Sequence, residues 1–407
     1  MPRSRTLAST AAGLVLCAAG LPAQEPEGAV LRAPGLESLT LGGQLRVRLE
    51  SRDTFPPTTA GTSASTQLGR LRVNLDARLD SAFGAFVELQ ESINSQGSPD
   101  ANGEVHQAYG RWNGALSGVD LQVGRMELSY GNQRMVSPLD WSNTGRAWDG
   151  VRAQVRLGEV QVDSFLTKPV AGQGSPGGLG TENFSGVYLM WEEGGYSLDA
   201  YVFRFQDSPT AIEEYTYGGL AEGAIADFSY SLEAAFQSGD HGALKAGGNA
   251  LAARVGWSPA TNWDLELGYE YASGDSNPAD GKDETFRPLF DFSHAWHGQQ
   301  DIVVWRNLED IIFHAGYRFK EGWKVYGDLH LLSQAETSDA LYTGLGGTGA
   351  MASGTDDSIG TELDLGVKGA LSESADLWVG VSRFWAGDAI LNGDDQLWLF
   401  AQVVLNF

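Results

Sequence analysis

The 407-residue sequence contains one cysteine, Cys17, and lacks any apolar run long enough to cross a membrane as a helix. A single cysteine excludes an intramolecular disulfide framework and a thiolate metal site. Charged and polar residues interrupt every apolar run after residue 23, whereas a spanning helix needs roughly 18 or more apolar residues. No G-x-S-x-G motif occurs, and the six histidines are scattered. We therefore expect neither an enzyme nor a cofactor.

The first 23 residues have the pattern of a secretory signal peptide. Arg3 and Arg5 form a basic start, and a short apolar run from Leu7 to Leu21 follows. We predict that residues 1–23 are removed, that residues 24–38 form a short flexible lead-in, and that residues 39–407 form one folded domain.

The main signal in residues 39–407 is an alternation of apolar and polar residues with a period of two. From Leu71 to Leu79, every second residue is leucine, valine or alanine, and the residues between them are arginine, asparagine or aspartate. This pattern places the two kinds of side chain on opposite faces of a β-strand. Many runs reach the roughly 9–11 residues of a tilted membrane strand, whereas strands of soluble proteins have about 5–6.

The segments between these runs are alternately short and long. Short turns near residues 81–82, 158–159 and 321–322 alternate with long loops such as 132–145 and 274–306. Bacterial outer-membrane barrels have short periplasmic turns and longer extracellular loops. The sequence therefore predicts an all-β fold: a transmembrane antiparallel β-barrel of about 18 strands, in the outer membrane and surrounded by its lipids. A barrel of that size leaves an aqueous channel.

The chain ends in QLWLFAQVVLNF, in which one face is apolar and the last residue, Phe407, is aromatic. Outer-membrane barrels commonly end in this way, and the resemblance implies recognition by the barrel assembly machinery. The alternative is an ordinary last strand of a soluble β-protein.

The stretch from Gly124 to Arg152 reads GRMELSYGNQRMVSPLDWSNTGRAWDGVR. It contains GR-x-x-L-x-YG at 124–131, DWSN at 140–143 and GR-x-W-DG-V-R at 145–152. These segments, in this order, resemble the signature of the alginate export family of outer-membrane β-barrels. The resemblance implies a barrel that passes an anionic polysaccharide or oligosaccharide. We read the stretch as two strands joined by one outward loop.

A second segment, FRPLFDFSHAWHGQQDIVVWRNLED at residues 286–310, resembles the same family through its PLF, His, Gly, Asp and W-x-NL-x-D elements. His294 and His297 lie three residues apart, but no third residue has ligand-like spacing, so we predict no metal site. A structured loop folded into the pore mouth is the favoured interpretation.

Charge is distributed unevenly along the chain. The formal net charge is −25; residues 157–407 hold 12 basic and 37 acidic residues, whereas residues 46–156 hold 12 arginines and 12 acidic residues. Many of these arginines fall at alternate, inward-facing positions and would suit a uronate, because a planar guanidinium binds carboxylates in a bidentate way. Alternatively, they pair with lumen acids such as Glu50 and Glu88 and only fill and stiffen the barrel. We expect no nucleic-acid partner.

The candidate substrate and pore residues combine the arginine row with the family segments. They are Arg46, Arg48, Arg72, Arg125, Arg134, Arg146, Arg152, Asp140, Asp149, Trp141, Asn143 and Trp148. Asp140 and Asp149 are expected to be the ion-pair partners of the arginines. Trp141 and Trp148 either stack on sugar rings or belong to an aromatic girdle at the membrane surface.

The sequence thus predicts an outer-membrane porin or exporter that passes hydrophilic, anionic sugars, such as poly- or oligouronates, by passive diffusion through an arginine-lined pore. A general or phosphate-type porin for small solutes would share this fold. A barrel that serves as an adhesin or assembly scaffold is a third possibility and would conduct few ions.

Overall fold

The computed structural model describes residues 29–31, 34–55, 62–95, 101–116, 118–170, 181–343 and 356–407. The strands found there are β1 (Ala29–Leu31), β2 (Ser38–Phe55), β3 (Thr62–Arg78), β4 (Phe83–Asn94), β5 (Ala101–Trp112), β6 (Val119–Met126), β7 (Trp148–Leu157), β8 (Val160–Pro169), β9 (Glu182–Glu193), β10 (Tyr196–Asp207), β11 (Ile212–Ile225), β12 (Phe228–His241), β13 (Leu244–Ala246), β14 (Asn249–Trp257), β15 (Trp263–Ala272), β16 (Lys282–Asp283), β17 (Leu308–Lys320), β18 (Trp323–Ser333), β19 (Ser358–Ser372), β20 (Ala375–Ala386) and β21 (Gln396–Asn406). A single 3₁₀ turn, Ser293–Ala295, accompanies them in the described residues.

The sheet closes on itself. β21 pairs antiparallel with β2, from Gln44 opposite Asn406 to Asp53 opposite Leu397. β1, β13 and β16 have only two or three residues each, so the part of the chain that the structure describes contributes eighteen long strands, each antiparallel to its neighbours. The prediction of an all-β barrel of about 18 strands is confirmed.

Connections at one end of the barrel are short and those at the other end are long. Residues 158–159 and 321–322 form tight turns, whereas residues 127–147 and 273–307 form long loops at the opposite end. We call these the short-turn end and the loop end. In an outer-membrane barrel the former faces the periplasm and the latter the exterior.

The polarity of the barrel is the reverse of that of a soluble protein. Arg46 on the inner face of β2 is 3% exposed, whereas Leu49 on the outer face is 51% exposed. Outward-facing rings also stack in pairs beside the short turns, for example Phe83 on Trp112 with centroids 5.5 Å apart. An apolar outer face with aromatic residues at its border is the arrangement that a lipid bilayer requires.

Two long loops fold inward and fill part of the lumen. Inner loop 1 (residues 127–147) and inner loop 2 (residues 273–307) join through backbone hydrogen bonds, including Ser137 N to Phe290 O at 2.8 Å. They pack against inward-facing aromatic residues of β8–β10. Tyr130 stacks on Tyr188 with centroids 4.7 Å apart, and Phe184 meets Phe290 edge-on at 4.8 Å. The expectation of an outward loop in the 124–152 stretch is therefore wrong.

The predicted signal peptide, residues 1–23, lies outside the described residues. Of the predicted flexible lead-in, Ala29–Leu31 form β1, which pairs with Leu39–Leu41 of β2. That part of the expectation is wrong, because the segment adds a strand at the short-turn end. Among the described residues there is no helix with the length and apolar character needed to cross a membrane.

Candidate pore site

Three inward-facing arginines of β2 and β3 bind the backbone at the tip of inner loop 1. Arg46 donates to the carbonyl oxygen of Ser142 at 2.7 Å and also to that of Asp140. Arg48 donates to the carbonyl of Trp141 at 2.8 Å, and Arg70 to the carbonyl of Asp140 at 3.0 Å. The backbone of the DWSN segment is thus bound by guanidinium groups. The predicted arginine row exists, and it engages the protein's own loop.

The Asp140 carboxylate anchors the tip of this loop to the arginines of β3. It lies 2.7 Å from Nη2 of Arg70 and 3.3 Å from Nη1 of Arg72. Enclosure inside the barrel would raise the pKa of Asp140, but Arg70, Arg72 and Arg46 together hold that pKa well below the usual range of an aspartate. Asp140 therefore stays charged over the whole physiological pH range, as its expected pairing with arginine requires.

Arg134 connects inner loop 1 to the barrel wall at β12 and β15, and Arg146 connects it to inner loop 2. Arg134 is buried, 2.8 Å from Glu270 of β15 and 3.6 Å from Glu233 of β12. Arg146 donates to the carbonyl of Asp291 in inner loop 2 at 2.8 Å. Burial lowers the pKa of Arg146, and the negative charge of Asp291 opposes that shift. Arg134 thus anchors the loop opposite Asp140, whereas Arg146 lies at a cavity wall.

Arg125 and Asp149 are not in the pore. They form an ion pair of 2.8 Å with each other, but both lie on the outer face of the barrel. They are on the same side of their strands as Val123 and Val151, which are exposed there. The expectation that they line the pore is wrong because the strands place residues of that parity toward the lipid. Arg152 faces inward and donates to Asp163 of β8 at 2.7 Å.

Neither predicted tryptophan belongs to an outer girdle. Trp148 is fully buried and packs edge-on against Phe290 at 5.3 Å. Trp141 lies in the lumen, stacked on His294 at 3.9 Å, with the Arg48 guanidinium 3.8 Å from its ring centroid. Burial excludes sugar stacking at Trp148, and the two contacts occupy the ring of Trp141. Both residues therefore hold the inner loops.

Asn143, like its neighbours in the DWSN segment, is hydrogen-bonded to the barrel wall. Its side-chain amide donates to the carbonyl of Ile93 at 3.1 Å, and its main-chain carbonyl accepts from the hydroxyl of Ser92 at 2.7 Å. Inner loop 1 is thereby attached to β4 as well as to β2 and β3.

A cavity of about 330 Å³ remains between the inner loops and the wall formed by β2, β3 and β21. Its charged lining consists of Arg48, Arg52, Arg146, Glu50, Asp291 and Asp301. Trp398, His294 and Trp141 supply its aromatic surface. A void of about 20 Å³ lies toward β17–β19, and His294 lines both spaces. Within the part of the chain that the structure describes, the larger of these two spaces lies on the side of β2 and β3.

Sequence reasoning missed the aromatic core on the other side of the lumen. Phe165, Phe184, Tyr188, Tyr201 and Phe203 face inward and are almost fully buried. The signal was present, because β8–β10 carry apolar residues on both faces, as in the run AYVFRF of β10. A strand of this kind needs apolar contacts on its inner face as well, and the inner loops provide them.

Sequence reasoning also missed the inward-facing acidic residues of β19, which is separated from β2 by β20 and β21 and which binds inner loop 2. Glu362 accepts from the backbone amide of Gln300 at 2.8 Å, and Asp364 from that of Gln299 at 3.1 Å. Gly298 has a φ of +96°, and a Cβ there would lie 2.6 Å from the Glu362 carboxylate. This close approach requires glycine.

The predicted histidine pair does not converge on one point. His294 faces Asp301 at 3.2 Å, and His297 lies 3.6 Å from Glu270. Elsewhere in the described residues, Glu88, His106 and Glu127 bring three potential ligand atoms within 4.8 Å of one another. The Arg72 guanidinium already supplies positive charge there, 3.0 Å from His106 Nε2.

Comparisons with known proteins agree with this architecture. The model of the family described as alginate export matches residues 37–402. The fold is similar to the crystal structure of Pseudomonas aeruginosa OccK5 (OpdH), with a TM-score of 0.65 and 12% identity over 92% of this chain and 100% of that one. The outer membrane protein OprD from the same organism gives a TM-score of 0.63 and 12% identity over 92% and 96%. No curated protein matches the sequence.

Proposed function

Because this chain belongs to the alginate export family and forms an outer-membrane β-barrel channel, we propose that it lets hydrophilic, carboxylate-bearing sugars diffuse passively across the outer membrane. Uronate oligosaccharides are the expected class of solute. The family description names alginate, which is a polyuronate, and the arginines found inside the barrel provide the matching charge.

The observation that carries this proposal is the concentration of guanidinium groups beside the cavity. Arg48, Arg52 and Arg146 line it, and Arg46 and Arg70 lie on the adjoining strands. Guanidinium groups bind carboxylates through paired hydrogen bonds and keep their charge even when they are buried. A uronate entering from the loop end would therefore meet attractive contacts on this wall.

Carboxylates of the protein face the same cavity and would keep the binding weak. Glu50 lies 2.7 Å from Nε of Arg48, and Asp291 and Asp301 come from inner loop 2. A solute carboxylate must compete with these groups for each arginine. Conduction needs such competition, because a site that binds too tightly does not release its solute.

The test is single-channel recording in a planar bilayer under a salt gradient, with a mannuronate oligosaccharide added on the loop-end side. We expect a conducting channel whose current is interrupted by the oligosaccharide. Arg52→Gln should shorten the blocking events, because it removes a cation from the cavity wall. Arg125→Gln is the matched control and should leave them unchanged, since Arg125 faces the lipid.

The alternatives make different predictions in the same experiment. A general or phosphate-type porin would conduct without interruption by the oligosaccharide. A barrel that acts as an adhesin or scaffold would show negligible conductance. Either result would contradict the proposed transport of acidic sugars.

A further inference from the structure

We infer that the cavity beside β2, β3 and β21 is a subsite for a single sugar ring, recognised through its hydroxyl groups by Nε2 of His294 and Nε1 of Trp398. This inference rests on the proposed function and deepens it. It assigns two residues that determine specificity through hydrogen bonds to hydroxyl groups, whereas the arginines act through their positive charge. The subsite would bind the hydroxyl groups of the ring even when the carboxylate of the sugar is esterified.

His294 supplies the first contact. Its side chain is 3% exposed, and Nδ1 is 3.2 Å from Asp301. Nε2, on the other side of the ring, is buried and finds no hydrogen-bond partner among the residues that the structure describes. The imidazole is held in place by its stack on Trp141. A buried polar atom at a cavity wall is expected to have a partner, because leaving it without one is unfavourable.

Trp398 supplies the second contact. It lies at the wall of the same cavity, 1% exposed, and stacks on Phe400 with centroids 4.6 Å apart. Its indole Nε1 likewise has no hydrogen-bond partner in the described ranges. An indole N–H can only donate, whereas a histidine nitrogen donates or accepts according to its tautomer. A sugar hydroxyl both donates and accepts, so it can satisfy both atoms.

The charge and size of the cavity favour a sugar ring over a strongly anionic group. Three arginines and three carboxylates face it, so its formal charge is balanced. A volume of about 330 Å³ is at the lower end of the roughly 300–1,000 Å³ of small-molecule sites. These properties suit one sugar ring rich in hydroxyl groups, with its carboxylate directed at the arginines.

The test compares a mannuronate disaccharide with its methyl ester, which keeps the ring hydroxyls and has no charge. Dissociation constants are measured from the interruption of single-channel current and, in detergent, from quenching of tryptophan fluorescence. The variant His294→Phe/Trp398→Phe keeps both aromatic stacks and removes both polar atoms. Trp305→Phe is the control, since Trp305 is also buried and its Nε1 also has no hydrogen-bond partner among the described residues, but Trp305 lies in the aromatic core.

We expect the double variant to conduct ions as the wild type does and to bind both sugars about tenfold more weakly, since each lost hydrogen bond typically costs about 2- to 10-fold. Trp305→Phe should bind both sugars normally. Arg52→Gln should weaken binding of the free acid and leave the ester unaffected.

Three results would overturn the inference. They are no binding of the methyl ester by the wild-type protein, unchanged affinity in the double variant, or an equal loss in Trp305→Phe. The first requires no variant and so does not depend on folding of the mutants. If the channel fails to conduct but fluorescence still shows binding of the ester, the proposed transport fails and the subsite remains.

Discussion

Replacing Asp140 with asparagine should loosen inner loop 1 and expose the arginines of β2 and β3 that bind the loop. The change keeps the shape of the side chain and the backbone carbonyls bound by Arg46, Arg48 and Arg70. It removes the negative charge 2.7 Å from Arg70 and 3.3 Å from Arg72. The lumen wall at β2 and β3 then gains one net positive charge at the edge of the cavity.

The size of the effect follows from burial. Breaking a fully buried ion pair costs about 3–5 kcal/mol, whereas an exposed pair contributes about 0–1 kcal/mol. The Arg70 side chain is fully buried, but 57% of the Asp140 side-chain area remains accessible from the lumen. An intermediate value of about 2 kcal/mol is therefore appropriate. It corresponds to a roughly 30-fold rise in the population of the displaced loop.

The assay is the reversal potential of single channels under a salt gradient, together with the frequency of larger conductance levels. Asp140→Asn should shift the reversal potential toward anion selectivity and make larger levels more frequent. The control is Asp149→Asn, which removes the same charge from a lipid-facing ion pair. An unchanged reversal potential in Asp140→Asn, or an equal shift in Asp149→Asn, would refute the assignment of Asp140 as the anchor.

Three further changes probe the loops and the wall. Arg134→Ala leaves Glu233 without its cation and Glu270 with Arg254 alone, so it should destabilise the protein by about 3 kcal/mol, the lower end of the range for a buried pair, seen as a lower unfolding temperature of the barrel on gels. Arg204→Ala, which breaks the exposed pair with Glu213, should lower that temperature much less. Gly298→Ala should lower the same unfolding temperature more than Gly281→Ala does. Both glycines have positive φ, but only at Gly298 would the new Cβ meet a carboxylate. Equal effects would argue against the close approach of Gly298 to Glu362. The pKa of Asp140 in the folded protein is below its usual value of about 3.9, so the stabilisation that its charge provides is present above that pH and is lost as the pH falls through the folded pKa. The wild-type channel should therefore lose the Asp140-dependent selectivity only below about pH 4, and Asp140→Asn should lack this transition.

Strand number and the orientation of most side chains were predictable because a strand has a strict period of two. Once Leu71 faces lipid, Arg72 must face the lumen, and its burial in the structure follows. The same rule applied to β6 and β7 would have placed Arg125 and Asp149 outside. Their position in a family-like segment suggested a shared role with Arg134 and Arg146, which the strand parity contradicts.

The course of the long loops was not predictable from periodicity. Inner loop 1 has no regular pattern, and its inward path depends on partners distant in the sequence, such as Arg70 on β3 and Glu270 on β15. The inward aromatic residues Tyr188 and Phe203 gave a hint of a filled lumen, but only the structure shows that two loops meet them there.

The chemical accessibility of lumen residues in the open channel tests most directly whether solute passes beside β2 and β3. In a background with Cys17→Ala, a single cysteine is introduced at Glu50, which lines the cavity, or at Ala235, which faces inward and is buried within the aromatic core. A negatively charged, water-soluble thiol reagent is then added during single-channel recording. We expect a rapid fall in current for Glu50→Cys and none for Ala235→Cys. Rapid block of Ala235→Cys with no effect at Glu50→Cys would contradict this expectation, because solute would then pass through the side of the lumen that the inner loops fill.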